Sequence, residues 1–342
     1  METRKIQKVS NGTYTVSLPK RWAEDEDISA GTVVDLHTHI DGLLVVQAPG
    51  REDGSTGCVT VQVAPESTER LEQTLRAAYT AGYEEVVLDV SESFTDAQKR
   101  VLRRVTRSLA GMTVTDRSDE RVVVRNLLDA NQVSVRQSVR QLQFVALSMH
   151  REATAVLTGD GPAENLSDRD DEADRLYAMV DRHFCRGLTR LDEIDALGAT
   201  REELFRLHAT ARELERIADH AERIATVGAA VENPRTRAVD DIADIAETAR
   251  GAVDDAVAAV VADADTAAAA LNARDRVREE AETLDRRLFE APDGDYRLTY
   301  ALDGVRRTAE HAGNIAEVGL RTAIRDGVPA ASPSDTDGDG GD

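Results

Sequence analysis

Glu213-Leu-Glu-Arg-Ile-Ala-Asp-His-Ala-Glu-Arg-Ile-Ala225 decides the fold, because its last eight residues return 91 positions later as Ala309-Glu-His-Ala-Gly-Asn-Ile-Ala316. Within the first copy, Leu214, Ile217, Ala218, Ala221, Ile224 and Ala225 recur at helical spacing and form one apolar stripe. From Asn131 to about Gly327 the chain is rich in helix formers and poor in Gly and Pro. Breaks fall at Gly159–Pro162, Leu197–Thr200, Asn233–Pro234, around Asp263 and at Pro292–Gly294. They divide this region into six long helices in two groups of three, about 131–230 and 234–325, which is the pattern of a duplicated three-helix bundle.

The polar side of the repeated helix carries Glu215, Asp219 and Glu222 at i, i+4 and i+7, and Glu310 and Glu317 take the same strip in the second copy. Like charges stacked on one helix repel by a few tenths of a kcal/mol per pair, roughly, unless a cation lies between them. A hard divalent or trivalent metal is one such cation. A solvated acidic face is the simpler reading of the same residues.

The stretch Leu-Glu-Arg-Ile-Ala-Asp-His-Ala and its second copy resemble the PhoU family signature over about residues 130–325. That resemblance implies two three-helix bundles, a link to phosphate transport and phosphate signalling, and a multinuclear metal site in each bundle. Carried over by position, the implied ligands are Glu215, Asp219 and Glu222 with Asp170 and Asp174 of an earlier helix, and Glu282, Asp285, Glu310 and Glu317 in the second bundle. The second copy departs from the pattern, since Arg306 stands where the first has Glu215.

The other end of the chain reads differently. Residues 1–21 hold Arg4, Lys5, Lys8, Lys20 and Arg21 against Glu2 alone, in a protein whose formal charge is −22. Arg4 to Ser10 and Tyr14 to Leu18 alternate as half-buried strands around Asn11-Gly12, and Pro19 ends the second. A short helix from Lys20, a turn at Gly31 and a second hairpin around Asp41-Gly42 follow. A unit of about 48 residues is too small to close its own core and needs a partner chain. Gly12-Thr-Tyr-Thr-Val-Ser-Leu-Pro-Lys-Arg-Trp22, with Ile28-Ser-Ala-Gly-Thr-Val-Val34, looks like the AbrB/SpoVT swapped-hairpin DNA-binding domain in its archaeal form. The resemblance implies interleaved hairpins of two chains, and DNA contacts at Lys5, Lys8, Lys20 and Arg21, with Arg4 at the margin. The segment from Gly12 to Pro19 is two residues longer than in the common bacterial pattern, and Thr13 stands where arginine is frequent.

Between these parts, Gly50 to Gly57 is a polar linker, and residues 57–128 alternate strands and helices as a small α/β domain without a phosphate-loop or dinucleotide fingerprint. The fold class expected is therefore multidomain and mainly α: a swapped-hairpin β domain over 1–48, the α/β domain, a six-helix double-bundle body over 131–327 and a disordered acidic tail over 328–342.

Composition limits the rest. There are 64 acids against 42 bases, and the only lysines are Lys5, Lys8, Lys20 and Lys99, an acidic, lysine-poor balance that suits a halophile's cytosol. Two cysteines, Cys58 and Cys185, cannot make a disulfide framework. The longest apolar run, Ala256 to Ala262, is far too short to span a bilayer, and no apolar run near Met1 reads as a secretory signal, so a cytoplasmic protein is expected. His37 and His39 share a strand face without a third ligand, and His220 and His311 follow the acids in both copies. No nucleophile and base fall together, so a non-enzyme is expected. Two functions compete. One is a regulator of phosphate uptake that binds promoter DNA through its head and a metal through its body. The other is an adaptor whose head serves only homodimerisation, while the body restrains a phosphate ABC transporter ATPase or a signalling kinase.

Overall fold

A computed structural model describes residues 3–9, 12–40, 42–48, 57–64, 67–162, 166–262, 266–291, 295–325 and 327. The expectations placed on Asn11, Asp41, most of the 50–57 linker, the breaks at 263 and 292–294 and the acidic tail lie outside these residues.

The head comprises β1 (Gln7–Lys8), β2 (Tyr14–Thr15), α1 (Lys20–Asp25), β3 (Asp35–Thr38) and β4 (Leu44–Gln47). β1 pairs antiparallel with β2, and β3 with β4, as two separate two-stranded sheets. Such ribbons are marginal alone. Here they have almost no interior: Ile6, Tyr14, Val33, Leu36, Ile40 and Leu44 are all exposed, and among described head residues only His39 and Ala48 are buried.

The second part is a four-stranded sheet in the order β5 (Cys58–Gln62), β6 (Glu85–Asp89), β8 (Arg121–Asn126), β7 (Met112–Arg117), with α2 (Thr68–Thr80) and α3 (Asp96–Ser108). β5 and β6 run parallel because α2 makes the crossover, whereas β7 and β8 form a hairpin antiparallel to β6. Both helices begin at side-chain caps. Ser67 accepts from the Arg70 amide, and Thr95 and Gln98 form a reciprocal capping box. Leu71, Leu75, Tyr79, Val86, Leu88 and Val105 fill the core beneath them.

The body is helical: α4 (Val135–Leu157), α5 (Leu166–Thr189), a short α6 (Leu191–Leu197), α7 (Arg201–Gly228), α8 (Arg237–Val261), α9 (Thr266–Glu290) and α10 (Tyr296–Arg325). The first group is α4, α5 and α7 and the second is α8, α9 and α10, with α7 lying against α10 between them. One apolar core runs through both groups, and the stripe read from the sequence (Leu214, Ile217, Ala218, Ala221, Ile224, Ala225) lies inside it. Close approach of the two repeated helices depends on Gly304, where an added Cβ would stand 2.7 Å from Ile224 Cγ1. The difference from the sequence expectation is α6. The chain breaks at Arg190 without Gly or Pro, and α6 then ends in Gly198 with φ of 62°.

Candidate functional site

The first acidic strip lies between α5 and α7. Asp170, Asp174, Glu215, Asp219 and Glu222 are all only part-exposed, and their charges act on one another. Burial first, then Asp174, Glu222 and Asp219, push the Asp170 carboxyl up to about 7. Burial, then Asp219 and Asp174, push Glu215 up to about 7 as well. Asp174 is raised by burial, with Arg76 of α2 pulling the other way. The two helices thus bring these residues within electrostatic reach of one another, and Asp170 and Glu215 hold protons where ordinary carboxylates do not.

The second strip is organised differently. Arg306 donates to Asp303 at 2.6 Å and to Glu310 at 3.1 Å, Arg278 pairs with Glu282 at 3.3 Å, and Arg274 lies 3.9 Å from Glu317. Glu282, Asp285 and Glu317 are exposed. Arginine does here what a cation was expected to do.

The metal expectation is corrected for both strips. Among the described residues, no group of three or more His, Cys, Asp or Glu side chains is placed to hold a metal ion. Spacing along one helix put Asp170, Asp174, Glu215, Asp219, Glu222, Glu282, Asp285, Glu310 and Glu317 on the right faces without making their oxygens converge. In the first bundle Asp170 and Glu215 keep their protons up to about pH 7, and in the second arginines pair with Glu282, Glu310 and Glu317.

His220 and His311, equivalent in the two repeats, meet at the bundle interface. Their Nε2 atoms are 3.2 Å apart and their rings stack with centroids 5.3 Å apart. Glu213 accepts from His311 Nδ1 at 2.7 Å and from Asn314 at 2.9 Å. Burial, then His311, lowers His220 to about 4, so it is neutral at pH 7. The pair ties α7 to α10.

The joint between the α/β domain and the body had no signal in the sequence. Arg182 of α5 donates to the carbonyls of Tyr79 (2.6 Å) and Gly82 (3.2 Å), and Arg186 donates to Gly82 at 2.9 Å. Gly82 has φ of 94°, and a Cβ there would lie 2.6 Å from Arg186 Cγ. Glu193 of α6 accepts from Arg186 Nε at 2.8 Å and contacts His183 Nδ1. Burial would raise the Glu193 carboxyl, but these two hydrogen bonds outweigh it and keep the group below its usual range. This buried pairing turns the chain back at Arg190 and accounts for α6.

In the head, Arg4, Lys5 and Lys8 are exposed, while Lys20 lies 3.5 Å from Glu24 and Arg21 lies 3.9 Å from Asp25 on their own helix. Those two cations are answered locally, so α1 presents no net basic face. His39 is not one of a surface pair with His37; it is buried, with Nδ1 3.1 Å from Asp195 of α6. The Ile40 amide also donates to Asp195. Some of the acids are paired by arginine at short range, as in Arg104–Glu72, Arg125–Glu85 and Arg136–Glu203. No feature of the described residues supports the halophile expectation. No helix among the described residues is long and apolar enough to cross a membrane.

The family model described as PhoU domain matches residues 139–227. The model described as "Antidote-toxin recognition MazE, bacterial antitoxin" matches residues 7–54. No curated protein matches the chain. Among solved structures, the crystal structure of PhoU from Pseudomonas aeruginosa is 23% identical, aligned over 56% of this chain and 96% of its own, with a TM-score of 0.49. The chain therefore carries a PhoU-like domain and an N-terminal domain resembling the AbrB/MazE swapped-hairpin superfamily. The second match does not single out an archaeal DNA-binding module, and the expectation of a promoter-binding, metal-loaded regulator gives way to the adaptor.

Proposed function

We propose that the chain is a PhoU-type adaptor that restrains a phosphate ABC transporter or a signalling kinase by protein contact, and that its N-terminal domain serves to dimerise it. The PhoU-like match over α4 to α7 supports the phosphate connection. The observation that carries the role of the head is its missing interior. Ile6, Val9, Tyr14, Val16, Leu18, Val33, Leu36, Ile40, Leu43 and Leu44 are all exposed in the single chain. Covering an exposed Val or Leu is worth about 1.5–3 kcal/mol. A second copy covering most of these residues gains on the order of 10 kcal/mol before the cost of association. Of the cations expected to contact DNA (Arg4, Lys5, Lys8, Lys20 and Arg21), Lys20 and Arg21 have acidic partners one helical turn away.

Sedimentation velocity on the full chain and on Val33→Asp/Leu36→Asp tests this reading. A dimer that becomes a monomer with unchanged helical circular dichroism is the expected result, together with no saturable binding of a labelled DNA duplex across a salt series. An unchanged oligomer, or saturable DNA binding abolished by Lys5→Ala/Lys8→Ala, overturns it.

A further inference from the structure

One face of α3 is cationic in a protein whose formal charge is −22. Lys99, Arg100, Arg103, Arg104 and Arg107 fall within roughly 140° of its circumference, over about 12 Å of its length. The opposite face, with Leu102 and Val105, is buried in the core of the α/β domain. The four arginines are exposed and Lys99 is part-exposed. Arg104 pairs with Glu72 of α2. The side chains of Lys99, Arg100, Arg103 and Arg107 have no hydrogen-bond or ion-pair partner among the described residues.

The fold does not account for this stripe. Like charges one turn apart, such as Lys99 with Arg103 and Arg103 with Arg107, weaken a helix. Only Arg107, in the last turn, is favoured by the helix dipole, whereas Lys99 closes the first turn, where the dipole disfavours a cation. On α9 and α10, arginines are matched by acids one turn away, as in Arg278–Glu282 and Arg306–Glu310. On α3 the sole acid is Asp96, at its first position.

We propose that the exposed face of α3 docks an acidic helix of another protein. Four unanswered cations require an anionic occupant, and guanidinium forks match carboxylates. Lys99, Arg103 and Arg107 recur every four residues, about 6 Å along the axis, which is the interval of glutamates at i and i+4 on a facing helix. Width decides against a duplex or a bilayer. The amides of Val90 and Phe94 donate to the carbonyls of Glu120 (2.9 Å) and Asp119 (3.0 Å), which seats the turn between β7 and β8 beside the start of α3. Glu92, Asp96, Asp119 and Glu120 are all exposed there. An extended polyanion would lie against these acids as well as the stripe, whereas a single helix, roughly 10–12 Å across, meets the stripe alone. The exposed face of α3 also carries no aromatic ring on which a base could stack and no large apolar side chain to enter a bilayer. The inference rests on the adaptor reading for there being a partner at all, and on α3 alone for where that partner sits.

The probe is a fluorescein-labelled alanine-based helical peptide with four glutamates spaced at i, i+4, i+8 and i+12, read by anisotropy against the full chain at low salt. A peptide of the same composition with its glutamates consecutive is the control for bulk charge. Arg103→Gln/Arg107→Gln removes two exposed, unpaired cations from the stripe, and Lys5→Gln/Lys8→Gln removes the same charge from the head. The expected result is saturable binding of the spaced peptide, weakened at least fivefold in the α3 variant and unchanged in the head variant, with weaker binding of the consecutive peptide. Equal binding by the α3 variant, an equal loss in the head variant, equal binding of the two peptides, or no binding overturns the proposal. Saturable binding of a DNA duplex or of phosphatidylserine vesicles that the α3 variant abolishes also overturns it, in favour of a nucleic acid or a bilayer. Phosphate uptake separates the two ideas. If deleting the chain releases uptake while the α3 variant still restrains it fully, the stripe is refuted and the adaptor stands. If uptake is indifferent to the chain while the spaced peptide still needs Arg103 and Arg107, the adaptor falls and the stripe stands.

Discussion

Replacing Asp170 with Asn should stabilise the protein most above neutral pH, and progressively less as the pH falls toward 4. Burial and the neighbouring Asp174, Glu222 and Asp219 push Asp170 from 3.8 up to about 7, and Glu215 goes from 4.5 to about 7 in the same cluster. Between roughly pH 4 and 7 the folded chain therefore holds protons that the unfolded chain has released. Stability falls as pH rises through that window and levels off above pH 7. Each pKa unit is about 1.4 kcal/mol. Asp170 is only half-buried, and solvent screening reduces the full shift to a cost on the order of 1–2 kcal/mol at pH 8. Asn keeps the shape and drops the charge. Denaturant unfolding followed by helical circular dichroism at pH 5, 6, 7 and 8 reads the effect. The wild-type midpoint should decline from pH 5 to 8, and Asp170→Asn should exceed it by about 1–2 kcal/mol at pH 8, with a gap that narrows toward pH 5 and closes only near pH 4. Because Asp170 and Glu215 are both raised and repel one another, Glu215→Gln should flatten the same profile. A wild-type midpoint that is level or rises across this range, or an Asn variant with the wild-type slope, would refute the reasoning.

Gly82→Ala forces a Cβ into Arg186 at a backbone angle that side chains avoid, and should lower stability by about 1–3 kcal/mol; faster amide exchange between α2 and β6 would localise the damage to the joint. Glu193→Gln removes the buried partner of Arg186 and His183, and should cost about 3–5 kcal/mol. Differential scanning calorimetry should show that loss, and Arg190→Ala, whose partners Glu84 and Asp192 are half-exposed, should show much less.

What could be read from the sequence was periodic or repeated. The stripe from Leu214 to Ala225 and its return at Ala309 identify two bundles because a buried helix face must recur at 3.6 residues. The small size of the head, about 48 residues, pointed to a unit that cannot close its own core, and Val33 and Leu36 are exposed in the single chain. Helix spacing also placed Glu215, Asp219 and Glu222 on one strip correctly. It could not say whether oxygens from α5 and α7 converge, since that depends on the distance and rotation between helices. Nor could it foresee Arg306 turning toward Asp303 and Glu310. The joint was invisible for a different reason. Arg182 and Arg186 lie about a hundred residues from the Gly82 carbonyl they hold, and arginines in an arginine-rich chain carry no local mark. The break at Arg190 goes with the buried pairing of Glu193 with Arg186 and His183, and no glycine or proline at the break announces it.

The most direct test of a dimeric adaptor is the initial rate of phosphate uptake in cells lacking the chain, complemented with wild type or with Val33→Asp/Leu36→Asp. Uptake under phosphate-replete conditions should rise several-fold without the chain, return to the restrained rate with wild type, and remain elevated with the head variant. Uptake that is indifferent to the chain would contradict the adaptor, and full restraint by the head variant would contradict the need for a dimer.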